Sequence, residues 1–327
     1  MKRQFLQRMA AAALSAAACL AAPLALAQAN YPDHPIRMVV PFPPGGSVDP
    51  IARVVGVRLG ELLGQPIVID NRAGGNTSIA AGFVAKAPAD GYTLFFTAGS
   101  THVIHTMQTS LPYDPIKDFA PIGIVSRSGY MIAVHPSVPA KTLPEFIAYA
   151  KANPGKLNYA SSGIGNANHL AGELFNILAG TQIVHVPYKG GAPALQDFLA
   201  GRVQVMITNV PGAQPHVDAG KLRALAYTSQ LPHHAPVPTF AQYGMPDFAA
   251  IESLNVLLAP AGTPAPIIEK ISVALKKVLA MPDVIAGIDA QKQEAWWSTP
   301  AQLGARLVSD KAKYTEVIEK ANVKLTP

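Results

Sequence analysis

Cysteine is all but missing from this sequence: the single thiol in 327 residues is Cys19. Without a second cysteine an internal disulfide is excluded, and a cysteine-ligated metal is not expected either, because Cys19 falls in a segment read as removed on export. Charge is sparse as well, 14% of residues against a typical share of about a quarter. No block of like charges and no basic run with interleaved aromatics occurs, so nucleic acid is not an expected partner. Beyond the N-terminal segment, no apolar stretch approaches the roughly 18 uncharged residues that a membrane helix needs. Enzyme signatures are missing too. Ser47, Ser100, Ser161 and Ser162 all lack the glycine pair of a hydrolase elbow, and there is no Walker sequence. Gly163-Ile164-Gly165 starts a dinucleotide fingerprint, but Asn168 occupies the third glycine position. The following strand, Ile183–Val186, brings no acid for a ribose. His102 with His105, and His233 with His234, lack a third metal ligand nearby. The expectation is therefore no catalytic residue, no metal and no cofactor.

What is present begins with an address. Met1 to Arg8 is a basic n-region, Met9 to Leu26 an apolar run rich in alanine, and small-x-small sites end at Ala27 and Ala29. Residues 1–27 are read as a secretory signal, cleaved after Ala27 or Ala29, and periplasmic export is expected. Lys2-Arg3-Gln4-Phe5-Leu6 also resembles a twin-arginine signal, although the general route is preferred. A membrane anchor is disfavoured because alanine drives insertion weakly. Cys19 leaves with the signal. Three of the six net positive charges, Lys2, Arg3 and Arg8, leave with it, and the remaining +3 is a mild bias toward anionic solutes.

Thirty prolines and 26 glycines cluster between apolar runs, which predicts many strand-to-helix corners. Ile36–Phe42, Ile67–Ile69 and Thr93–Ala98 read as strands. Between them lie a helix opened by Asp49 as N-cap with Pro50 at its first position, and a helix over Ile79–Ala87. The rhythm restarts after Asp118, with apolar runs at Ile122–Val125 and Tyr130–Val134 and a capping-box helix from Thr142. Ile251–Leu258 is a further strand, and helices opened by Thr263-Pro264 and Thr299-Pro300 form the tail. The expected fold class is α/β with two lobes and mainly parallel sheets, helices covering both faces. The chain is expected to cross between lobes: 30–126 in lobe 1, 127–250 in lobe 2, and 251–327 returning to lobe 1.

Four strand-to-helix loops are rich in small polar residues: Pro43–Ser47, Gly74–Ser78, Ser161–Asn166 and Tyr188–Gly191. In open α/β sheets such loops present backbone N–H groups and helix N-termini to anions at the carboxyl ends of strands. Four of one kind point to anion capture. A serine hydrolase built on Ser161 or Ser162 is the rival reading, and it requires a histidine base and an orienting acid. Trp296-Trp297 reads as packing, and Asp49 as a cap and not a ligand.

Several segments together resemble the Bug family, the periplasmic solute-binding components of tripartite tricarboxylate transporters. Among them are Pro41–Gly46, Ala85–Leu94, Leu111–Pro115, Leu157–Gly163, His169–Glu173, Val184–Gly190, Ala219–Ala226 and Ala259–Pro264. The match is collinear across residues 30–327. It implies a Venus-flytrap fold, a carboxylate held between the lobes, delivery to a membrane permease or presentation to a sensor protein, and a monomer. The site it implies comprises Pro44, Gly45, Gly46, Ser47, Asn76, Thr77, Ser78 and Thr97 in lobe 1, with Ser161, Ser162, Tyr188 and Thr208 in lobe 2. Thr208 stands where amino-acid binders often carry an acid, so the expected ligand is amine-free. Ser253-Leu254-Asn255-Val256 replaces the more common Ser-Trp-Phe-Gly, and His105 an asparagine. That loss of bulk leaves room for a larger or aromatic di- or tricarboxylate, or else is repacking away from the ligand.

Overall fold

The computed structural model describes residues 31–45, 48–104, 111–230, 236–249 and 251–323, and only the backbone of Asn76, Ile104 and Ala249. The segment expected to be an export signal, with Cys19, the loop residues Gly46 and Ser47, and His105, His233 and His234 lie outside the described residues. Among the described residues, no helix is long and apolar enough to cross a membrane.

The first lobe opens with β1 (Ile36–Val40), α1 (Asp49–Leu63), β2 (Ile67–Asn71), α2 (Ser78–Ala85), β3 (Thr93–Ala98) and α3 (Gly99–Ile104). β4 (Phe119–Val134) then runs for 16 residues. The second lobe contains α4 (Leu143–Ala152), β5 (Asn158–Ser161), α5 (Ala167–Ala179), β6 (Val184–Pro187), α6 (Gly191–Leu199), β7 (Val205–Asn209), α7 (Val210–Asp218), β8 (Arg223–Tyr227) and α8 (Pro246–Ala249). β9 (Glu252–Pro260), α9 (Ala265–Val278), α10 (Pro282–Asp289), β10 (Glu294–Ala295) and α11 (Pro300–Lys320) complete the chain.

One sheet has the order β2-β1-β3-β9-β4, with β10 on the far edge of β4. The other pairs the end of β4 with β8 and with β7, which continues to β5 and β6. The two apolar runs read separately at Ile122 and Tyr130 are thus one strand that passes from sheet to sheet. Its register shifts at Pro121–Gly123 and Ile124–Ser126 mark the irregularities by which a long strand bends. The fold is the expected two-lobed α/β arrangement, with mixed sheets. β1–β2, β1–β3, β5–β6 and β5–β7 are parallel, while every pairing with β4 or β9 is antiparallel.

Alternation along the strands divides the cores. Ile36, Met38 and Val40 of β1 face Ile51, Val55 and Leu59 of α1 and Ile271, Leu275 and Val278 of α9. In β4, Met131 and Ala133 point to a core with Phe198 and Met206, whereas Tyr130, Ile132 and Val134 join a larger one. That larger core runs through both lobes and includes Leu303, Leu307 and Tyr314 of α11. The Thr299 capping box is complete, with Gln302 as its reciprocal partner. Two helix starts differ from expectation. α9 begins at Ala265, because Pro264 keeps an extended ψ of 135° and is itself the N-cap, while the Thr263 hydroxyl donates to Pro260 O. α1 begins at Asp49 itself, for a reason that bears on the site.

Candidate functional site

The first binding loop is tied down from beneath. Asp49, 3% exposed, accepts from Gly45 N–H (3.1 Å), Arg53 Nε (2.9 Å) and Asn71 Nδ2 (2.9 Å). Asn71 at the end of β2 also donates to Phe42 O and accepts from Arg53 Nη2. Asp49 is therefore not an N-cap: its carboxylate serves the loop and β2, and Val48 precedes the helix with no side-chain cap. Burial opposes the charge, but the Arg53, Asn71 and Gly45 hydrogen bonds outweigh it and hold the carboxyl below its ordinary range.

Between the lobes lies a cavity of about 520 Å³. Phe42, Pro43, Val48, Ala98, Ser100 and Thr101 line it from the first lobe. Ser162, Asn166, Asn168, Leu195, Met206, Thr208 and Asn209 line it from the second. Tyr130 of β4, Ser253 and Asn255 of β9, and Gln293 close the end where the sheets join. Tyr130 is the only ionisable group among these lining residues, and burial pushes its phenol up to about 12, so it stays neutral. Helix N-termini replace charge. Val48, Asn166 and Asn209, the N-caps of α1, α5 and α7, line the cavity, as do Gly191 and Ala192 at the start of α6. None of the four helices has a side-chain cap, which leaves first-turn N–H groups open to an anion.

The sequence-derived candidates divide accordingly. Ser162 and Thr208 line the cavity; Ser162 Oγ donates to Asn168 Oδ1 (3.0 Å) and Thr208 Oγ1 to Asn209 Oδ1 (3.3 Å). Pro44 and Gly45 are exposed on the loop held by Asp49, outside the lining. Thr77, with φ of 77°, and Thr97 are 3% and 0% exposed, and neither hydroxyl has a partner among the described residues. Ser78 Oγ is spent on Gly75 O. The Tyr188 hydroxyl turns to Asp197 (2.8 Å), and Ser161, fully buried, meets His185 Nε2 at 2.6 Å. Gly46 and Ser47 lie outside the described residues, as does the side chain of Asn76.

Comparison with known proteins adds the decisive observation. Residues 51–323 match the model of the tripartite tricarboxylate transporter family receptor. The chain belongs to that family. It is 36% identical to BugT of Bordetella pertussis over 300 residues, 90% of this chain and 92% of the relative. The R. palustris protein Rpa4515 with adipate superposes with TM-score 0.79 at 33% identity, covering 90% of this chain and 99% of that one. MatC of Rhodopseudomonas palustris with bound malate gives 0.75 at 30% identity, covering 88% and 100%.

A family receptor binds its solute rather than transforming it, and this chain is not an enzyme. The Ser161–His185 pair satisfies the distance that a hydrolase needs and fails the rest. Ser161 has no exposure, and burial pushes His185 down to about 3, too low for a general base. The nearby Glu173 takes the Tyr159 hydroxyl and lies 3.9 Å from His169, not His185. The receptor's cavity also includes groups that the loop motifs did not reveal: Ser100, Thr101, Tyr130, Asn255 and Gln293. Of these only Asn255 carried a signal, as a polar residue within the apolar β9. Of the two tryptophans only Trp297 packs against the first core and donates to Ser272 O; Trp296 is exposed, with Arg127 lying over its ring at 3.5 Å.

Proposed function

We propose that the protein is a periplasmic receptor that closes its lobes on a small amine-free carboxylate and delivers it to a tripartite tricarboxylate-type permease. The observation that carries this reading is a cavity with uncapped helix N-termini around it and, among the described residues, none charged at neutral pH in its lining. Such a site stabilises a carboxylate through backbone N–H groups and offers an ammonium no counter-charge. The hydroxyls of Thr77, just ahead of α2, and Thr97, near the end of β3, have no partner among the described residues, and family resemblance puts the anchoring of one carboxylate on the first-lobe loops. Apolar walls at Phe42, Pro43, Leu195 and Met206 suit a hydrocarbon body between the acidic ends. Relatives solved with adipate and with malate support the ligand class.

Closure would bend β4 and β9, with 30–126 and 251–327 moving against 127–250. Export rests on the N-terminal basic and apolar pattern. Thermal-shift screening followed by calorimetry tests the ligand class, with aliphatic and aromatic dicarboxylates beside aspartate and glutamate. The largest stabilisation should come from an amine-free acid. If an amino acid gave it, the neutral cavity would have been misread.

A further inference from the structure

Three side chains meet where β4 and β9 run side by side. Ser126 of β4, Asn255 of β9 and Gln293 just before β10 are 0%, 3% and 4% exposed, and Ser126 and Asn255 are partners across the ladder. Asn255 Nδ2 donates to Ser126 Oγ (2.9 Å) and to Gln293 Oε1 (2.8 Å), and Ser126 Oγ donates to the same Gln293 oxygen (2.8 Å). Both protons of the asparagine amide, the serine proton and both lone pairs of the glutamine oxygen are thereby used. Turning the asparagine alone would set its oxygen against the glutamine oxygen, and turning the glutamine alone would set donor against donor. Turning both together keeps every bond and only exchanges which amide holds the free group of each kind, so the pair always offers one donor and one acceptor. Two polar groups remain on these cavity-lining residues without a partner among the described residues: Gln293 Nε2, a donor, and Asn255 Oδ1, an acceptor.

Resting on the reading of this cavity as a carboxylate site, we infer that Gln293 and Asn255 select carboxylates that carry a hydroxyl. A hydroxyl accepts from Gln293 Nε2 and donates to Asn255 Oδ1, completing both amides at once. A second carboxylate satisfies the glutamine but sets its oxygen against the asparagine oxygen. A methylene satisfies neither and leaves two buried polar groups dry, which is costly. An ammonium meets the asparagine but faces the glutamine donor with no counter-charge. Ser126 is a positioning residue that couples the two amides, so that one always offers a donor where the other offers an acceptor.

Calorimetric titration of the mature protein with matched pairs tests the inference: succinate and malate, glutarate and 3-hydroxyglutarate, adipate and 2-hydroxyadipate. In at least one pair the hydroxylated member should bind at least about 10-fold tighter, the scale of discrimination when a ligand hydroxyl completes a polar pair. Asn255→Leu and Gln293→Met should each bring that ratio to within about 2-fold, and Ser126→Ala should lower it partway. Parity in every pair that binds overturns the selection while leaving the receptor reading intact. Failure of every carboxylate to bind overturns both. A ratio that survives in either folded variant also refutes it, as does a structure of the hydroxylated complex with that hydroxyl away from both amides, whether or not the variants fold.

Discussion

Lowering the pH from 6.5 to 5 should destabilise the protein through two stacked imidazoles in the second lobe. His169 and His185 lie with ring centroids 3.8 Å apart at 11°, and Tyr159 stacks on His185 at 5.0 Å. Burial pushes His169 from 6.5 down to about 4; burial, then the neighbouring His169, pushes His185 down to about 3. His169 Nδ1 accepts from Gly165 N–H at 2.9 Å, so its proton is on Nε2. At pH 5 the folded protein leaves both rings neutral while the unfolded chain protonates them, so protons favour unfolding. This contribution is whole above 6.5 and is lost as the pH falls toward the folded values. Two fully buried imidazoles would lose about 3 kcal/mol over that interval, and partial solvent access reduces the expectation to about 1.5 kcal/mol. The depressed carboxyls, Asp49 and Asp114 among them, titrate at lower pH, while burial raises Asp310, whose protonation acts in the opposite sense and is common to the parent and the histidine variant. Urea midpoints at closely spaced pH values measure the slope. His185→Phe, which keeps a ring in the stack, should remove about half of it. An unchanged slope in that variant, or a flat profile in the parent, would refute the account.

Thr97→Val removes a buried hydroxyl that has no partner among the described residues, so stability should hold or rise by about 1 kcal/mol while carboxylate affinity falls about 5- to 10-fold. Unchanged affinity by calorimetry would remove Thr97 from the site. Gly172→Ala would bring a Cβ to 2.3 Å from Tyr159 Cε2, and that ring is held by Glu173 and His185. Overpacking should exceed the helix-propensity gain by about 2 kcal/mol, read as a lower urea midpoint. Thr208→Asp puts a carboxylate into the cavity lining and should shift preference from succinate toward aspartate in competitive titration. Retained succinate preference would place position 208 away from the ligand.

The loops were legible because their chemistry is local: glycine, proline and small hydroxyl residues after a β-branched run mark a strand-to-helix corner wherever they occur. What escaped was set by distant partners. Ser126-Arg127-Ser128-Gly129 looks like a polar break between two strands, yet β9 on one edge and β10 on the other carry β4 straight through it. Asp49 followed by proline has the form of a helix cap, but Arg53 and Asn71 compete for its carboxylate and draw it into the first turn. Tyr188 suits a ligand contact by its position after β6; Asp197, nine residues on, takes its hydroxyl instead. Ser126, Asn255 and Gln293 meet across separations of 129 and 167 residues, and no periodicity announces such a meeting.

Among the described residues no cation lines the cavity, which bears on how such a receptor works. A buried arginine would grip a carboxylate in either lobe alone, and would be costly to leave unpaired in the empty state. Helix N-termini contribute less, about 0.3–1 kcal/mol each and up to about 2 when partly buried, and are never left as bare charges. Here α1 belongs to the first sheet and α5, α6 and α7 to the second, so an anion in the open form meets only part of the set. On the proposed mechanism, lobe closure would bring all of them onto one ligand, and the difference in contacts between the two states would be the free energy that drives closure. Micromolar binding needs only about 8 kcal/mol, within reach of several such termini plus a few charge-assisted hydrogen bonds. Reopening then undoes most of the affinity at once, which is what a receptor that must hand over its solute requires.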